Sequence, residues 1–115
     1  MTDDPESRRR VLIKQILGAR RRGERVVFEA GGDRVVFDDR RLRVELDADE
    51  RERLDDLLGA FRACKIEQPT TRKAADGVVY LSAVTDAKHA ADFLESLFRE
   101  VYGAGEGYEL RVVQP

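Results

Sequence analysis

The sequence contains no tryptophan, and only one cysteine, one histidine and one methionine among its 115 residues. A single cysteine excludes an intrachain disulfide and fits a reducing compartment. A single histidine excludes a multi-histidine metal site, and no cysteine pair or carboxylate stands at ligand spacing beside His89. Aromatic residues are 7% of the chain, and none interrupts its most basic segment, so that segment lacks a stacking platform for bases. No apolar run approaches the ~20 residues that span a bilayer, so no membrane partner is expected. The opening residues, Met1 to Glu6, are acidic and carry no apolar signal segment, which makes a cytoplasmic location the expectation.

Catalytic signatures are missing as well. Ser82 stands between Leu81 and Ala83 rather than in a Gly-x-Ser-x-Gly elbow. The glycine-rich stretch from Gly103 to Gly107 follows a predicted helix and precedes a predicted strand. Phosphate cradles need the reverse order, so that helix N-terminal N–H groups face the anion. Cys64 falls on an apolar helical stripe near a predicted helix C-terminus, whose partial negative charge opposes ionisation, so packing is its expected role. The expectation is a non-catalytic protein with no cofactor and no metal.

What is present is charge and apolar periodicity. Lys, Arg, Asp and Glu make up 38% of the chain, interleaved with enough Leu, Val, Ile and Phe for the core of one domain spanning 1–115. The charge is uneven. Residues 7–25 hold eight Lys/Arg against one Glu, a net of +7, which leaves −9 on the other 96 residues of a chain whose total is −2.

Asp4 and Pro5 predict a helix start, with Asp4 as N-cap and Pro5 at the first helical position. Leu12, Ile13, Ile16 and Leu17 recur at helical spacing and Gly23 terminates, giving a helix over 5–22. The echo Arg25-Val-Val-Phe-Glu and Arg34-Val-Val-Phe-Asp, joined through Gly31 and Gly32, predicts a hairpin. A third strand follows the turn at 38–41, with Leu42, Val44 and Leu46 on one face. Asp47 and Glu50 form a capping box for a helix over 48–65, whose stripe is Leu54, Leu57, Leu58, Phe61 and Cys64. Residues 67–76 read as a loop. Residues 78–84 are apolar on both parities and predict a central strand covered on both faces. Thr85 is the expected cap of a third helix ended by Gly103, and Tyr108, Leu110 and Val112 alternate in a last strand.

The predicted order is α-β-β-β-α-β-α-β: an α+β domain with an antiparallel meander in a five-stranded sheet and helices mainly on one face. The third helix is long enough for a crossover that lets strands 4 and 5 lie parallel. In element order alone, this resembles small secretion-chaperone domains, with no motif residue behind the likeness.

Two surfaces stand out as candidate interaction sites. On the first helix Arg10, Lys14 and Arg21 project away from the apolar stripe and span about 16 Å. Arg9 and Arg20 fall at the stripe's edges, and Arg8 and Arg22 on its flank. On the outer face of the meander, Val27 and Val36 sit among Arg34, Arg41 and Arg43, a mixed strip able to meet its own copy across a two-fold axis. The leading expectation is a protein-interaction module, adaptor or chaperone-like, that contacts a protein partner or forms a homodimer. The alternative is a nucleic-acid-binding protein using Arg10, Lys14 and Arg21 together with the arginines of the sheet.

Overall fold

The Asp4 carboxylate accepts from the Ser7 N–H and closes the start of α1, Pro5–Arg22. Gly23 ends it in the left-handed region, at φ 65°, a conformation that costs glycine nothing. Both ends of this helix are therefore set by local chemistry. The computed structural model describes residues 2–67 and 77–113 of the chain.

β1 (Arg25–Ala30) and β2 (Asp33–Asp38) pair antiparallel around Gly31 and Gly32, whose φ angles of 57° and 91° are those a tight hairpin turn requires. β3 (Arg41–Glu45) completes the meander after a turn in which Asp39 adopts φ 58°. α2 (Ala48–Leu58) carries the reciprocal capping box of Asp47 and Glu50.

The chain then departs from expectation. α2 stops at Leu58 rather than continuing to 65, and Cys64–Glu67 form an additional strand, β4. The exit runs through successive three-residue turns: Gly59, Ala60 and Phe61 donate to the carbonyls of Asp56, Leu57 and Leu58, and Cys64 donates to that of Phe61. Such turns preserve an i, i+3 recurrence of buried residues without preserving an α-helix, and this is why Phe61 and Cys64 imitated a helical stripe. Of the expected loop at 67–76, Glu67 belongs to β4 and the rest lies outside the described residues.

β5 (Val78–Ala83) alternates between buried and half-buried positions, so it is covered on one face and not on both. α3 (Ala87–Ser96) is capped by Asp86, which accepts from the His89 N–H, in place of Thr85. It continues as a π-helix, Leu97–Val101, and the Tyr102 N–H reaches back five residues to the Leu97 carbonyl. β6 is short, Arg111–Val113, and pairs with β1.

The six strands form one antiparallel sheet in the order β4-β5-β3-β2-β1-β6. Among the described residues the sheet thus has six strands rather than five and no parallel pair. β5 and β6 do point the same way, as the length of α3 allowed, but β3, β2 and β1 lie between them. One core cluster joins Leu12, Ile16 and Ala19 of α1, Leu54 and Leu57 of α2, and Phe93, Leu94 and Phe98 of the last helix. Phe28, Val35, Phe37, Val44 and Leu81 of the sheet complete it. The helices therefore cover one face of the sheet, and among the described residues the opposite face is left to its own side chains.

Candidate interaction surfaces

Residues paired across an antiparallel ladder project to the same side, so the registers map the open face directly. Its middle row runs Tyr80, Arg43, Val36, Val27 and Val113 across β5, β3, β2, β1 and β6. Val27 is only 7% exposed and yet lies outside the core cluster, because its side chain belongs to this other face. Val36 and Val113 beside it are half-buried. One flanking row holds Lys65, Ser82, Arg41, Asp38 and Arg25, and the other Val78, Glu45, Arg34, Glu29 and Arg111. The middle of the face is an apolar stripe, bordered by charges of both signs.

Several of the charges on this face are paired within the chain. Arg34 Nε donates to Glu29 at 2.8 Å, Arg41 meets Glu67 at 2.9 Å, and Arg43 meets Glu45 at 3.2 Å. A shallow depression of about 480 Å³ lies at the hairpin end of the face, between Glu29, Arg34, Arg43 and Glu45.

The α1 surface lies on the other side of the molecule, since α1 packs on the covered face and turns Arg10, Lys14 and Arg21 outward. The two groups of candidate residues therefore do not merge into one site. Most of the positive charge on α1 is already committed. Arg9 contacts Asp92 at 3.0 Å, Arg10 contacts Glu6 at 3.5 Å and Arg22 contacts Glu24 at 3.1 Å. Arg20 donates to the carbonyls of Asp39, Thr85 and Ala83 and stands over the Phe37 ring, at the edge of the core as expected.

Arg8 corrects the flank placement. It is fully buried, and it donates from Nε and Nη2 to both oxygens of Glu95, from Nη1 to the Tyr108 carbonyl and from Nη2 to the Glu106 carbonyl. Its guanidinium lies 3.9 Å from the centre of the Tyr108 ring, and the Tyr108 hydroxyl donates to Glu95. A signal for this was present, since position 8 precedes Leu12 and Ile16 by one and two helical repeats. Leu17, placed with the apolar stripe, is instead 47% exposed.

The whole chain, residues 1–115, matches the profile of a family of unknown function, DUF7975. It belongs to that family. No curated protein and no solved structure matches the chain. For this DUF7975 chain the remaining chemistry is read from its own residues. Cys64 is buried on the core face of β4, opposite Ala83, and burial pushes its thiol up to about 11. His89 is exposed, with Nδ1 2.8 Å from Asp86. Among the described residues, no group of three His, Cys, Asp or Glu is placed to hold a metal ion, and no helix is long and apolar enough to cross a membrane.

Proposed function

We propose that this protein is a small, non-catalytic interaction module of the cytoplasm, adaptor or chaperone-like, that self-associates through the open face of its sheet. The observation that carries the reading is the row Val113, Val27 and Val36, an apolar stripe on a face that no helix among the described residues covers. Alternating charges on both sides suit it to a copy of itself, because a two-fold axis brings each patch against the same patch reversed. Six strands about 4.8 Å apart, each about five residues long, outline a face of roughly 25 by 17 Å. That is on the order of 400 Å² per partner, below the ~800 Å² of a standard stable interface, so the dimer is weak and concentration-dependent.

Light scattering coupled to size exclusion tests this. The apparent mass should rise from 13.1 kDa towards twice that value as concentration increases through the micromolar range. Val36→Asp and Val113→Asp should hold the chain at monomer mass with an unchanged circular dichroism spectrum. A monomer at all concentrations, or a dimer indifferent to both variants, counts against the proposal.

The competing reading, nucleic-acid binding, draws on Lys14 and Arg21, exposed cations with no partner among the described residues. Its difficulty is geometric. The sheet arginines it needs lie on the opposite side of the molecule and are paired with glutamates. A titration with DNA and RNA decides it, since a phosphate-binding protein loses affinity steeply with salt.

A further inference from the structure

The outward stripe of α1 consists of Glu6, Arg10, Lys14, Leu17 and Arg21, all exposed and opposite the buried Arg8, Leu12, Ile16 and Ala19. Of the seven cations on this helix, Arg8, Arg9, Arg10, Arg20 and Arg22 have partners within the chain. Lys14 and Arg21 have none among the described residues. They stand seven residues apart, about 10.5 Å along the helix, and between them lies Leu17, nearly half exposed. The Arg22 guanidinium lies over Gly18, and Lys14, Leu17 and Arg21, together with the paired Arg22 and Glu24, line an open depression of about 550 Å³ there.

This is an apolar contact framed by two exposed positive charges that have no ion-pair partner among the described residues, and its complement has a definite form. We infer that the α1 stripe docks an acidic amphipathic helix of a partner protein. That helix would carry carboxylates at i and i+7 over Lys14 and Arg21, and an aliphatic side chain at i+3 or i+4 over Leu17. The spacing follows from the helical repeat, which places i, i+3, i+4 and i+7 on one face. A polyanionic nucleic acid fits less well. Its backbone offers nothing to a central leucine, and the stripe has no aromatic side chain for base stacking. The inference rests on the reading of the protein as an interaction module, and adds the chemistry of what it binds.

The test is fluorescence anisotropy with a labelled helical peptide carrying Glu at i and i+7 and Leu at i+3 and i+4. Two control peptides replace Leu by Ser or Glu by Lys, and a single-stranded oligonucleotide is run in parallel. Binding is expected in the range of about 10 to 100 μM, weakening with salt. Lys14→Glu with Arg21→Glu, and separately Leu17→Ser, should each weaken it by at least tenfold; all three positions are exposed. Failure of the peptide to bind, or binding unaffected by Leu17→Ser, overturns the inference. So does tighter binding of the oligonucleotide that Lys14→Glu abolishes. Light scattering on the same variants separates the two proposals. An unchanged dimer without peptide binding leaves self-association standing and removes only this site, whereas loss of the dimer in Lys14→Glu/Arg21→Glu assigns the stripe to a second copy and overturns it.

Discussion

Arg8 and Glu95 meet in a two-pronged ion pair, 2.9 Å from Nε to Oε1 and 2.8 Å from Nη2 to Oε2, beneath the Tyr108 ring. The pair joins α1 to α3, and through the Glu106 and Tyr108 carbonyls it also holds the segment that leads into β6. Bidentate geometry and the complete set of acceptors are what make a buried guanidinium tolerable. Among the described residues, no buried side-chain nitrogen or oxygen lacks a hydrogen-bond partner.

Removing Glu95 leaves Arg8 fully buried without its counter-ion, whereas removing Arg8 leaves Glu95 partly exposed and still bonded to the Tyr108 hydroxyl. Glu95→Leu should destabilise the fold by about 3–5 kcal/mol and Arg8→Met by less, measured by urea denaturation. The double variant should cost less than the sum of the two, since no uncompensated charge remains. It should still be less stable than the parent, because the two backbone carbonyls lose their donor. Full additivity in this cycle would show that the two residues are not coupled.

The same pair sets a pH dependence. Burial alone would raise the Glu95 carboxyl, but hydrogen bonds from Arg8 and Tyr108 and the Arg8 charge outweigh it and hold the group below its ordinary value. The folded value lies below the unfolded one, so the stabilisation is fully present above the unfolded value of about 4.3 and is lost as pH falls through the folded value. The urea midpoint of the parent should fall between pH 5 and pH 3 by more than that of Glu95→Gln, which has no carboxyl to protonate at this site. Parallel curves for the two proteins would refute the assignment.

Cys64 should be inert while the protein is folded. With its thiol pushed up to about 11 by burial on β4, the thiolate is scarce at neutral pH and shielded as well. Labelling by a thiol reagent should proceed only at the rate of unfolding and become immediate in denaturant. Rapid labelling of the native protein would place Cys64 at the surface, contrary to the pairing with Ala83.

The capping box of α2 is the simplest local test. Asp47→Ala removes the acceptor for the Glu50 N–H and should cost about 1 kcal/mol. Asp47→Asn should retain most of the stability, because an amide oxygen can accept the same bond.

The sequence exposed those parts of the fold that are fixed within a few residues. Asp4, Pro5 and Gly23 set both ends of α1, and Gly31 with Gly32 set the first turn. β4 was hidden because Phe61 and Cys64 keep a three-residue recurrence while the chain leaves α2 in tight turns. The pairing of β6 with β1 was hidden because alternation shows which side chains share a face but not which strand lies alongside. For the same reason Val27 and Val36 were legible as outward-facing, while Tyr80 and Val113, which extend their row, were not. Arg8 was misread on residue type: its position marked it as buried, but an arginine there is stable only with Glu95, 87 positions away.

The pairing of β1 with β6 has a consequence for how the chain is made. Phe28 lies opposite Val112, so the strand that closes one side of the sheet is synthesised more than eighty residues after the strand it covers. Until residues 111–113 leave the ribosome, β1 presents a row of unpaired N–H and C=O groups on a nascent chain that already holds its hairpin partner, β2. Bare strands of this kind are where growing chains capture one another. The interval between translating β1 and translating β6 is therefore the period in which this protein is most exposed to misassembly, and slowing elongation late in the message should lower its yield of folded product.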